Sequence, residues 1–150
     1  MENKLSKRLA QIVKALPLTD GIRVLEIGAG PGAAAREISR RIGDGYVLAI
    51  DRSYRAFQQA ISISKLEIAS GRPSFRQVAI ENFELAPNEK KFEIAIAVRF
   101  GALDGRHPEI EKVALERIAM ALTFQGTLFI YGGNPLKEIS LSAYREKGGL

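Results

Sequence analysis

The sequence predicts an α/β fold, an open doubly wound sheet of parallel strands with helices on both faces, and three observations carry that prediction. Five short runs of branched apolar residues alternate with stretches of helical periodicity. Parallel strands need crossover connections, and helices are the usual ones. Glycines and an acid cluster at the end of the first run, where such a sheet opens a crevice. Finally, 150 residues with 46% apolar and 26% charged side chains suffice for one core and one domain spanning residues 1–150.

The elements follow in order. From Lys4 to Leu16, apolar residues at 5, 9, 12, 13 and 16 make a helical stripe backed by Lys and Arg. Pro17 and the cluster Thr19-Asp20-Gly21 end it. Ile22 to Ile27 is a short buried strand bounded by glycines. Pro31 opens a helix that runs through the alanines to Ile42. Tyr46 to Ile50 is strand, Tyr54 to Ala69 helix, Ser74 to Val78 strand, and Phe92 to Val98 strand. Glu109 to Leu122 is helical with Ile110, Val113, Ala114, Ile118 and Ala121 on one face, and Thr127 to Tyr131 is a fifth strand. Residues 134–150 have room for a further helical turn or two and a glycine-containing tail.

Composition excludes several classes. Cysteine is absent, which removes disulfides, thiolate nucleophiles and cysteine metal sites, and a single histidine with dispersed carboxylates shows no ligand cluster. No metal is expected. No apolar run spans a bilayer and the first residues lack the apolar core of a signal peptide, so a cytoplasmic protein without membrane contact is expected. The net charge of +5 comes from Lys and Arg scattered along the chain, with no basic block longer than a pair such as Arg40-Arg41. That is a solvated surface, and nucleic acid is not the expected partner.

The segment Glu26-Ile27-Gly28-Ala29-Gly30-Pro31-Gly32 joins the first strand to its helix. Glycines let the backbone turn with positive φ and approach a ligand that a Cβ would push away. The helix start beyond them offers N–H groups to a carboxylate or phosphate. Two adenosine cofactors use such a loop. Dinucleotides bring a pyrophosphate, which an acid at Glu26 disfavours; S-adenosylmethionine brings an ammonium and a sulfonium, which it favours. Ala33 stands where the third small residue of the dinucleotide fingerprint falls, so that pattern is formally met. Asp51 ends the second strand, 19 residues after Gly32, placed to accept from both ribose hydroxyls of either cofactor or to cap the next helix, a task Ser53 can also fill. Arg52, beside Asp51, borders the same site, though Arg52 and Arg55 also read as solvated helix-start residues.

The residues VLEIGAGPG, followed by AID at the next strand end, resemble motifs I and II of the class I S-adenosylmethionine-dependent methyltransferases. The resemblance covers roughly residues 22–133. It implies a Rossmann-like sheet in the order 3-2-1-4-5, with the family's C-terminal β-hairpin short or missing. It places Gly28 and Gly30 along the methionine and ribose, Glu26 near the amino end and Asp51 on the ribose, with Ile27, Ala29 and Gly32 also among the cofactor-binding residues. Ile80 and Glu81, after the third strand, correspond to the loop that wraps the adenine; Ala79 stands where many members carry Asp. Arg99 and Phe100 occupy the loop after the fourth strand that faces the methyl group, and Val98 at the strand's end and Arg99 count among the cofactor-binding residues. VLEIGAGPGA also resembles the first motif of rRNA adenine dimethylases. The Asn or Asp followed by Pro-Pro or Leu-Pro and an aromatic, with which amino-directed nucleic-acid methyltransferases grip a base, is absent from Val98-Arg99-Phe100-Gly101. A small-molecule acceptor is therefore expected.

Methyl transfer from a sulfonium is an in-line displacement with a good leaving group, so proximity and orientation are the main requirements. A hydroxyl acceptor adds a need for a base, and His107, with Asp104 as its orienter, is the candidate; the alternative is a surface histidine before a helix. Two other functions stay open: a cofactor-binding module or partner subunit without its own acceptor site, and an NAD-binding dehydrogenase. The acceptor and the oligomeric state are not assigned.

Overall fold

A computed structural model describes residues 5–98, 107–132 and 134–145. The described elements are α1 Lys7–Ala15, β1 Arg23–Ile27, α2 Ala33–Ser39, β2 Tyr46–Asp51, α3 Tyr54–Ile63, α4 Lys65–Ser70 and β3 Pro73–Gln77. A 3-10 turn Ile80–Asn82, β4 Phe92–Ala97, α5 Pro108–Ala121, β5 Leu122–Tyr131, β6 Leu136–Ile139 and α6 Ser142–Arg145 follow. The strands form one sheet in the order β3-β2-β1-β4-β5-β6, parallel except for the antiparallel β5–β6 pair. The expected order 3-2-1-4-5 is present, and the hairpin is short rather than missing. No described helix is long and apolar enough to cross a membrane.

Alternation along each strand sorts the side chains into two cores. Val24, Val47, Ala49, Ile94 and Ile96 pack against α1 and α2 through Ile12, Val13, Ala35 and Ile38. Leu25, Ile27, Leu48, Ile50 and Ala95 pack on the other face against Ala114, Leu115 and Ile118 of α5 and the buried Ile80 and Phe83. Glu26, Asp51 and Val98 are in step with the first set, because side chains two apart on a strand share a face. The α1–α2 side of the sheet therefore carries the polar residues at its strand ends. The strand order reverses between β1 and β4, which opens the crevice there.

Three elements differ from the sequence expectation. The helix expected over Tyr54 to Ala69 breaks at Ser64, which is fully buried and receives the guanidinium of Arg36 on its hydroxyl. β5 starts five residues early, directly from α5. It pairs Leu122 with Phe92 and then Thr127 with Ile94, so a bulge absorbs the excess. Gly126 permits this, since a Cβ there would stand 2.8 Å from that of Leu122. The guanidinium of Arg145 donates to the carbonyls of Phe124 and Gly126 and holds the bulge against α6. The third difference is β6 itself, where a helical turn or two had been expected; the turn found is α6.

Candidate functional site

Where β1 meets α2, the chain makes four hydrogen bonds that consume the loop's own donors. Gly28 and Ala29 N–H both donate to the Ile50 carbonyl at 2.9 and 3.0 Å, and Gly32 N–H to the Ala29 carbonyl at 3.1 Å. Gly30 N–H donates to Asp51 Oδ2 at 2.8 Å. Residue 31 is proline and has no N–H. The loop's own donors are thus spent inside the protein, and the start of α2 beyond it is the part left to offer N–H groups to a ligand. Its turns need glycine: Gly28, Gly30 and Gly32 have φ of 73°, 57° and 91°.

Asp51 anchors two segments. While Oδ2 takes Gly30 N–H, Oδ1 takes Ser53 N–H at 2.8 Å. Ser53 caps α3, accepting Ala56 N–H at 3.1 Å, so Asp51 is not the cap. Each carboxylate oxygen has two acceptor directions, leaving capacity on both for further donors.

Glu26 is the unusual group. Its side chain is buried and its Oε1 has no hydrogen-bond partner. Burial, with the nearby charge of Asp51 adding to it and that of Arg36 opposing it, pushes its carboxyl up to about 8. A buried acid without partners is costly unless a donor or cation completes it. Glu26, Gly28, Ala29, Gly30, Asp51 and Val98 together line a cavity of about 400 Å³, closed on one side by Ser6 and Leu9 of α1. A Cβ on Gly30 would meet nothing within 4 Å, so this glycine faces open space.

None of the other described candidates lines that cavity. Ile27 belongs to the opposite core. Gly32 also turns away from the cavity: a Cβ there would stand 2.8 Å from the Phe75 ring and 3.2 Å from Arg36 Nη1, so the glycine serves packing. Arg52 is exposed, and its carbonyl accepts from Gln77. Ile80 is 2% exposed and packed in the core, and Glu81 beside it is half-buried. Val78 N–H donates to the Asp51 carbonyl, which brings this loop alongside the site. His107 is exposed at the N-cap of α5, and its side chain makes no capping hydrogen bond. Arg99, Phe100, Gly101 and Asp104 lie outside the described residues. Among the described residues, no group of three or more His, Asp or Glu is placed to hold a metal ion.

Two features were not anticipated. Ser6 and Leu9 border the cavity, a tertiary relation that no local pattern encodes. Arg36, 3% exposed within α2, donates from Nη1 to the Pro31 carbonyl and to Ser64 Oγ, both at 2.8 Å, while Nη2 is buried without a partner. Burial lowers its pKa from the ordinary value. It ties the proline of the loop to the α3–α4 break. Its neighbour Ala35 carries the apolar stripe, so position 36 reads in sequence as a solvated flank.

A buried, unpaired carboxyl beside a carboxylate suits a cationic group and disfavours a phosphate. Comparison with known proteins agrees with that chemistry. A family model described as a methyltransferase domain matches residues 24–126. No curated protein matches the chain. Among solved structures, the YcgJ protein from Bacillus subtilis superposes with a TM-score of 0.66 at 22% identity, covering 82% of this chain and 49% of that one. An S-adenosylmethionine-dependent methyltransferase from Thiobacillus denitrificans, solved with S-adenosyl-L-homocysteine, gives 0.64 at 22% identity, covering 85% and 48%. The [4+2]-cyclase SpnF gives 0.65 at 25% identity, covering 82% and 43%. The chain spans about half the length of these structures or less.

Proposed function

Because the chain belongs to the methyltransferase-domain family, we propose that it binds S-adenosylmethionine in the crevice at the carboxyl ends of β1, β2 and β4 and passes the methyl group to a small-molecule acceptor. The observation that carries this reading is the unpaired Glu26 carboxylate beside Asp51, over a loop whose donors are already used. An NAD-binding dehydrogenase is disfavoured because a dinucleotide has no ammonium for Glu26 and its pyrophosphate would lie beside two acids.

The cofactor supplies a methyl on a sulfonium, which needs no covalent catalysis from the protein. The chain's own work is binding and orientation. Glu26 gives up its proton and receives the ammonium of the methionine moiety. Asp51 keeps Gly30 and Ser53 in place with one lone pair of each oxygen and accepts the ribose hydroxyls with the others. Gly30 lets the ligand lie against backbone. Ser6 and Leu9 exclude water from the α1 side, and Val98 borders the methyl end. Ile80 and Glu81 stand at the adenine end. For a hydroxyl acceptor, His107 takes the acceptor proton; replacing it with Ala then lowers kcat and leaves cofactor affinity unchanged.

Titration calorimetry with S-adenosylmethionine and S-adenosylhomocysteine tests the reading. Binding with a micromolar dissociation constant is expected, and Asp51→Ala should weaken it by about 3 kcal/mol or more, the scale of two lost hydrogen bonds to a charged group. No heat and no thermal shift at millimolar ligand ends the proposal. A second reading keeps the cofactor and drops the transfer, since the fold is shared with a protein named as a cyclase. Incubating the protein with methyl-labelled cofactor and a small-molecule extract separates the two: label appears in an extract component only if the chain transfers it.

A further inference from the structure

Three large apolar side chains stand out into solvent along α5 and just after it. Val113, 38% exposed, and Met120, 63% exposed, lie on one stripe of α5, and Phe124, 79% exposed, follows at the start of β5. Beside them is a hollow of about 790 Å³ with a floor that includes Ala119, Leu122 and Tyr144. Its rim carries Lys91, Lys112 and Arg145, with Glu116 as the one acid among its lining residues. It shares no residue with the cofactor crevice. Lys91 precedes β4 and Leu122 opens β5, so the hollow is at the amino ends of the strands, the end away from the crevice. An exposed aromatic and a methionine at the edge of an apolar hollow with a charged rim form the anatomy of a protein interface.

The charges on α5 indicate what covers it. On the face that carries Val113 and Met120, the first turn of the helix holds Glu109, whereas Lys91 and Arg145 of the rim lie beside its last turns. Lys112 and Glu116 are four residues apart and make no ion pair with each other among the described residues. With Lys on the amino-terminal side, that spacing is the less favourable arrangement within one helix. An acidic end and a basic end on one face become complementary when the same face is turned through 180°.

We propose that this face docks on a second copy of the chain, with the two α5 helices antiparallel about a two-fold axis near residue 114. Lys112 of each copy then meets Glu116 of the other. Glu109 of one copy faces the Lys91 and Arg145 end of the other, and the opposed helix ends are electrostatically favourable as well. Val113 packs beside the axis. At a rise of about 1.5 Å per residue, Met120 lies roughly 9 Å from it and reaches the first turn of the second copy. One helix pair is a small interface, so association on the order of micromolar is expected.

Sedimentation velocity from micromolar to near-millimolar protein tests this, with circular dichroism to establish that each variant is folded. The wild type should pass from monomer to dimer with concentration. Met120→Asp and Phe124→Asp should each weaken association by about tenfold or more. Lys112→Glu should weaken it, and the double variant K112E/E116K, which restores the cross-axis pairs, should recover most of the loss. A wild type that stays monomeric throughout overturns the proposal. So does a dimer indifferent to Met120→Asp and Lys112→Glu, or a double variant no better than Lys112→Glu alone. Cofactor binding is measured separately and does not depend on the outcome.

Discussion

Glu26 couples the site to pH. Its carboxyl holds a proton up to about 8 in the folded protein, against an ordinary 4.5 in the unfolded chain. Between those values the native state binds more protons than the unfolded state, so rising pH costs stability across that window. Below pH 4.5 both states are protonated, and above about 8 the full cost is present. Glu26→Gln removes the titration. The variant without ligand should therefore melt higher than wild type by a margin that grows from acid to about pH 8 and then levels, reaching about 5 °C or more. A margin that shrinks as pH rises contradicts the assignment. With S-adenosylmethionine present the ranking should reverse, because glutamine cannot neutralise an ammonium. The acid was legible in the sequence as an electrostatic clue to the ligand. Its isolation was not, since burial depends on α1 and α2 closing over that end of the sheet.

At the scale of the element, the β1–α2 loop separates two uses of glycine that look alike in sequence. All three glycines read as room for a ligand. Gly30 faces open space, while Gly32 is pressed on Phe75 of β3. Gly30→Ala meets no atom, so it should cost about 1 kcal/mol of stability from its positive φ and cut cofactor affinity far more. Gly32→Ala forces the Phe75 ring aside and should do the reverse, lowering stability by about 2 kcal/mol or more with a smaller effect on affinity of the folded fraction. Urea unfolding alongside calorimetry distinguishes the two; equal profiles for the variants would refute this division. The strand and helix alternation was legible because branched runs and helical stripes are local. The break at Ser64 and the early start of β5 were not, because a buried arginine from another helix and a glycine packed under a bulge produce them.

On the scale of the whole molecule, the order 3-2-1-4-5 puts Glu26 on the central strand with Asp51 and Val98 on its two neighbours, all in step on one face. The crevice is thus a property of the sheet, and α1 only closes it. Shortening the chain to begin after α1 should leave folded protein less stable by several kcal/mol, since Ile12, Val13 and Leu16 are almost wholly buried. Cofactor should still bind that shortened protein, about tenfold or more weaker, for want of Ser6 and Leu9. Loss of all binding in a folded truncation would show that α1 contributes more than a wall. β6 escaped the sequence reading because its four residues carry the alternation of an edge strand too briefly to stand out.

The loop whose N–H groups are all spent internally has a kinetic consequence. A crevice floor already held by Ile50, Asp51 and its own Ala29 carbonyl has no ordering step left to make when a ligand arrives. Cofactor association measured by stopped flow should then rise in proportion to concentration with no plateau, at about 10⁵–10⁷ M⁻¹s⁻¹, and residence time should set the affinity.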